Sequence, residues 1–139
     1  MREIKFRAWN SVDKEMMYDV CLGSDGAVII LEYGNFVGTY PKDQVIPLQY
    51  TGFKDKNGTE IYEGDIIRDL DAEETENIIT LKPRIFTVKW NNAILGFLRF
   101  DNQIGLFKGR IGLYDEDFSH IEVIGNIYEH PHLLGSGEK

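Results

Sequence analysis

The chain has 139 residues, 42% of them hydrophobic and 12% aromatic, a length that suits one domain of ordinary size and an apolar share too high for a disordered chain. Fifteen Lys and Arg stand against 23 Asp and Glu, a formal charge of −8. Such a charge disfavours a general nucleic-acid binder, whose affinity comes mainly from cations on phosphates.

Ile4, Phe6 and Ala8 alternate with Lys5, Arg7 and Trp9, which predicts an opening strand. Asn10-Ser11 turns it, and Met16 to Leu22 returns as a hairpin. Ser24-Asp25-Gly26 precedes the apolar run Ala27 to Leu31, short enough for a buried strand; Gly34-Asn35 breaks it and Phe36 to Tyr40 pairs back. Pro41 and Pro47 bracket a connector in which Lys42 to Val45 form one helical turn, with Pro41 at a favoured first position. Leu48 to Phe53 and Thr59 to Tyr62 flank Asn57-Gly58, a pair that signals a type I′ hairpin turn with positive φ at both residues. Glu63-Gly64-Asp65 marks a second reversal, into a strand over Asp65 to Leu70.

Asp69 to Asn77 carries Asp69, Asp71, Glu73, Glu74 and Glu76 with no basic residue among them. It reads as a solvated loop or frayed helical turn that separates two smaller sheet units. Arg84 to Trp90 alternates, Asn91-Asn92 turns it into Ala93 to Phe100, and Asp101-Asn102 turns again into Gln103 to Phe107. Ile111 to Tyr114 is a short apolar stretch, and Asp115 to Phe118 forms a helical turn. Ile121 to Tyr128 is the last strand, and Gly125 inside it marks a bulge or a close backbone approach. Pro131 stops the element, and 135–139 is a flexible tail after one β domain over 1–134. The fold class is mainly β, with antiparallel hairpins forming a small barrel or sandwich, two sheet subunits as an option, and at most one or two helical turns.

Few residues offer chemistry. Cys21 is the single cysteine, so no intramolecular disulfide forms, which fits a reducing cytoplasm; between Val20 and Leu22 it reads as packing. No apolar run approaches the roughly 18 residues of a membrane-spanning helix. His130-Pro131-His132 falls short of the three or four ligands that zinc requires, and reads as a surface turn. Ser119-His120 would point to opposite faces of a strand, which excludes a nucleophile–base pair. Lys108 and Arg110 lie in a glycine-bearing stretch that reads as a solvated loop, and Asp65 and Glu63 as turn residues. The acidic run lacks the ligand alternation and central glycine of a calcium loop. No catalytic, cofactor or metal residue is assigned. Lys5, Arg7 and Trp9 share one face of the first strand and form the candidate interaction surface, able to stack on bases or to sit as a solvated outer face.

MREIKFRAWN at the start, LQYTGFKDKNGTEIYEGDIIR in the middle and IEVIGNIYEHPHLL near the end resemble the YopX family, small proteins encoded mainly by bacteriophages and prophages of Gram-positive bacteria. The resemblance spans essentially the whole chain. It implies a mostly β domain of uncharacterised role with no catalytic residues to carry over. The matched Thr51, Gly52, Asp55, Asn57, Gly58, Tyr62, Gly64 and Asp65 are mostly turn-building types. Three readings follow. The first is a non-enzymatic phage or prophage accessory protein acting in the bacterial cytoplasm on an unknown protein partner. The others are a small enzyme or ligand-binding module whose site assembles on folding, and a nucleic-acid-binding β domain, which the net charge disfavours. An exposed strand edge also offers pairing with a second copy.

Overall fold

The computed structural model describes residues 3–41, 43–114 and 118–137. Among the described residues eleven strands run in chain order: β1 (Phe6–Asn10), β2 (Glu15–Leu22), β3 (Val28–Glu32), β4 (Asn35–Tyr40), β5 (Val45–Lys54), β6 (Glu60–Tyr62), β7 (Asp65–Thr75), β8 (Ile78–Asn91), β9 (Gly96–Asp101), β10 (Leu106–Arg110) and β11 (Glu122–Asn126). A 3-10 helix over Pro131–Gly137 follows. The mainly β expectation holds, in two antiparallel sheets and without a closed barrel. The chain divides into two compact units, Met1–Gly52 and Phe53–Lys139.

In the first unit the strands lie in the order β4-β3-β2-β1-β5. Its core is Ala8, Val20, Val28 and Val45, with Phe6, Met17, Leu22 and Tyr40 packed around them. In the second unit the order is β10-β9-β8-β7-β11, and β6 adjoins the end of β5 across a short turn. The second core is Ile61, Ile67, Phe86, Val88, Ile111 and Ile121. Ile67 lies opposite Phe86 and opposite Val123 in the ladder. This places the even–odd pattern of three strands on one apolar face.

One turn device recurs. Asn10, Asn91 and Asp101 each end a strand, and each carbonyl accepts the N–H four residues on, at Lys14, Leu95 and Gly105, all at 2.8 Å. The Asx side chain takes the N–H groups in between, as Asn10 does from Val12 and Asp13. Lys14, Leu95 and Gly105 close the turns with positive φ. The side chain replaces partners that the chain reversal removes, which explains the Asx residue at the head of each turn.

Several expectations change. The Asn57-Gly58 turn is not type I′: positive φ falls on Gly58 and not on Asn57. Asp55 accepts from Gly58 N and pairs with Thr59, which makes a three-residue loop closed by a left-handed glycine. Asp69 to Asn77 is not a loop; it completes β7 and the turn into β8, and cations on neighbouring strands face Asp69, Asp71 and Glu73. The unit boundary lies at Gly52 and Phe53 instead. Pro47 is inside β5 opposite Ala8, and of the expected helical turn Asp43 and Gln44 form a plain turn while Lys42 lies outside the described residues. Ile111 to Tyr114 is turn, and the expected helical turn after it falls largely on 115–117, outside the described residues. Pro131 opens the 3-10 helix, so Gly135 to Gly137 belong to that helix, while 138–139 are not described.

Candidate functional site

The central motif builds the scaffold of the second unit. Asp55 Oδ1 accepts from Asn57 N and Thr59 N, each at 2.9 Å. Its Oδ2 accepts from Val123 N at 2.8 Å, tying the hairpin to β11. Asp65 Oδ2 accepts from Tyr62 N at 2.8 Å, across the turn that Gly64 makes at φ 87°. At the far end of the chain, Asn126 Oδ1 accepts from Tyr128 N and Glu129 N. Asp55, Asp65 and Asn126 are thus engaged with backbone N–H groups.

Gly125 explains itself by contact. A Cβ there would stand 2.8 Å from His130 Nδ1 and 2.9 Å from Leu133 Cδ1, and the ladder shifts register between Val123 and Gly125. Both a bulge and a close approach are present. His130 Nδ1 accepts from Asn126 N at 3.1 Å, so the ring carries its hydrogen on Nε2. His132 stacks edge-on with its centroid 6.0 Å away. The histidine pair is a packed corner, half-buried at His130 and exposed at His132. Ser119 and His120 lie in an exposed turn, not a strand. Their Oγ and Nδ1 approach to 3.4 Å, at the long limit of a hydrogen bond. Among the described residues no group of three or more His, Cys, Asp or Glu could hold a metal ion, and no helix is long and apolar enough to cross a membrane.

Of the two readings of Lys5, Arg7 and Trp9, the solvated outer face does not form. Arg7 and Trp9 are buried. Lys5, just before β1 and half-buried, pairs with Glu3 at 3.4 Å and lies 5.2 Å from the Tyr50 ring centroid. Residues on both faces of β1 are removed from water, and strand alternation cannot distinguish that from a one-sided sheet.

The feature that sequence reasoning missed is the arm formed by β7 and β8. β9 pairs with β8 only from Thr87 to Asn91, and β11 with β7 only from Asp65 to Arg68. Beyond those points β7 and β8 continue as a two-stranded ribbon to Thr75 and Ile78. Glu76 and Asn77 close it with φ of 51° and 68°, the type I′ geometry that fits a two-residue hairpin.

The two faces of the ribbon differ. One carries Asp69, Asp71 and Glu73 opposite Arg84, Lys82 and Thr80. Glu73 meets Lys82 at 2.9 Å and Arg84 at 2.7 Å; the Lys82 ammonium, and after it Arg84, holds its carboxyl below the ordinary carboxylate value. Arg99, fully buried, crosses the same face. It donates to the carbonyls of Leu70 and Lys108 and lies 3.5 Å from Asp69 and 3.7 Å from Asp71. Its guanidinium carbon stands 4.4 Å from the Phe86 ring centroid. Asp69 also accepts from Gly112 N at 3.0 Å, and Lys108 reaches Asp71 at 3.6 Å. Lys108, read as part of a solvated loop, belongs to this network.

The other face carries Arg68, Leu70, Ala72 and Glu74 on β7 opposite Ile85, Pro83, Leu81 and Ile79 on β8. Ile79 is 69% exposed, Leu81 44% and Ile85 39%. At the base of this ribbon Pro83 and Ile85 line a cleft of about 260 Å³ with Leu133 and Leu134, and Asp101 and Asn102 stand at its polar side.

Among curated proteins none matches the chain. Among solved structures it is similar to protein EF1440 from Enterococcus faecalis, with a TM-score of 0.63 and 28% identity over 96% of this chain and 99% of that one. The family model described as "YopX protein" matches residues 5–135. That span takes in most of both units, the second and third sequence segments and residues 5–10 of the first, so the chain belongs to the YopX family.

Proposed function

We propose that the protein is a phage or prophage accessory factor that works without catalysis, in the cytoplasm of a bacterial host, by holding a protein partner. The observation that carries this reading is the use of the motif's polar side chains: Asp55, Asp65 and Asn126 accept backbone N–H bonds, the work of scaffold residues. A binding surface is offered elsewhere. β4 is the outer strand of the first sheet, has no charge and no proline over Asn35–Tyr40, and exposes Phe36 and Val37. An uncharged outer strand can take up a strand from another protein, or from a second copy, through main-chain hydrogen bonds. The nucleic-acid reading has less support, because Lys82, Arg84 and Lys108 face carboxylates.

The test is affinity capture from a Gram-positive host lysate, with wild type beside a variant carrying Phe36→Lys and Val37→Lys. A partner retained saturably by wild type and lost by the variant supports the proposal. No saturable partner for wild type overturns it.

A further inference from the structure

We infer that a second copy of this chain docks on the apolar face of the β7–β8 ribbon, giving a two-fold dimer in which the two ribbons stack antiparallel. The inference goes beyond the partner-binding reading and uses a different surface.

The face is self-complementary in a specific order. From base to tip, β7 presents Arg68, Leu70, Ala72 and Glu74, and β8 presents Ile85, Pro83, Leu81 and Ile79 beside them. A two-fold axis across the ribbon lays the tip of one copy over the base of the other. Arg68 then faces the second copy's Glu74, Leu70 faces Ala72, Pro83 faces Leu81, and Ile85 faces Ile79. Every apolar position meets an apolar one, and the two charges at the ends meet opposite charges. Arg68 and Glu74 stand about 20 Å apart along β7, six residues at roughly 3.4 Å each. A parallel stacking of the ribbons would instead set arginine level with arginine and glutamate level with glutamate.

The tip and the base also fit. Ile79 is exposed at the tip, and the cleft of about 260 Å³ beside Ile85 lies where the second copy's Ile79 arrives. Leu133 and Leu134 supply further apolar wall there. Among the described residues Glu74 has no ion pair, whereas Glu73 on the other face is held by Lys82 and Arg84. Arg68 pairs with Glu122 at 2.8 Å and keeps nearly half its side chain in water, so it can take a second carboxylate. Face-to-face stacking also leaves open the edge of β8, where Pro83 offers no N–H and so discourages edge pairing. A two-stranded ribbon is a small interface, so the dimer is reversible.

Sedimentation velocity over about 5 μM to 1 mM full-length protein tests this, with far-UV circular dichroism as the folding check. Wild type should pass from monomer to dimer. Ile79→Arg or Leu81→Arg should weaken association at least about tenfold with the spectrum unchanged, as burying an unpaired charge in a small interface requires. Glu74→Arg should weaken it, and Glu74→Arg with Arg68→Glu should restore it. The variant with Phe36→Lys and Val37→Lys should dimerise as wild type does, which separates this surface from the β4 edge. A monomer at every concentration, or a dimer that Ile79→Arg and Leu81→Arg leave intact, overturns the inference.

Discussion

Asp55 fixes three backbone N–H groups with one carboxylate, two in its own hairpin and one in β11. Hydrogen bonds to a charged acceptor contribute about 1.5–3 kcal/mol each and do not simply add. Asp55→Ala should therefore destabilise the protein by about 2–4 kcal/mol in urea unfolding, and Asp55→Asn by less. Gly125 works by having no side chain under the His130 ring. Gly125→Ala forces the ring and Leu133 aside and should cost about 1–3 kcal/mol; adding His130→Ala should recover part of that loss, since it removes the obstructing ring. The sequence marks both positions, one as a turn aspartate and one as a glycine in a strand. It cannot show that Asp55 reaches Val123 or that Gly125 lies under His130, because those contacts depend on how distant strands meet.

The β7–β8 ribbon shows how pairing overrides local pattern. Its acidic run is read as a loop because five like charges repel in isolation. The cross-strand neighbours Arg84 and Lys82, with Arg99 and Lys108 from β9 and β10, neutralise three of them, Asp69, Asp71 and Glu73. The Glu73 carboxyl is held below its ordinary value of 4.5 by Lys82 first and by Arg84. A depressed carboxyl contributes stability that is complete above the unfolded value and is lost as pH falls through the folded one. Acidification from about pH 5 downward should loosen the ribbon tip, read as lower amide-exchange protection factors (rates relative to the intrinsic rate at each pH) at Glu73 to Thr80, and Glu73→Gln should remove that carboxyl's share of the pH dependence. Amide exchange in Glu73→Gln that tracks wild type across this range would sink the assignment. The turn at Glu76 and Asn77 carries a legible signal, since Asn tolerates the left-handed region, but only the strand pairing reveals it as a hairpin tip.

Across the whole chain, each unit holds one of the two tryptophans, Trp9 in the first and Trp90 in the second. Arg99 is a fully buried cation of the second unit, lying against Asp69, Asp71 and the Phe86 ring. Removing one partner of a buried ionic set leaves the others uncompensated, at about 3–5 kcal/mol. Arg99→Met should lower the unfolding transition read from Trp90 fluorescence in a Trp9→Phe background by a margin of that order; an unshifted transition would show that the network adds no net stability. The mainly β class, the turns at Asx and glycine residues, most strand positions and the family are determined by sequence alone, because alternation, left-handed glycines and Asx capping act within a few residues of one another. The division at Gly52 and Phe53, the burial of Arg7 and Trp9, the Arg99 network and the exposed apolar face from Leu70 to Ile85 are decided only by tertiary structure. Each depends on which distant strand lies opposite, and a single residue of register exchanges the buried and exposed faces.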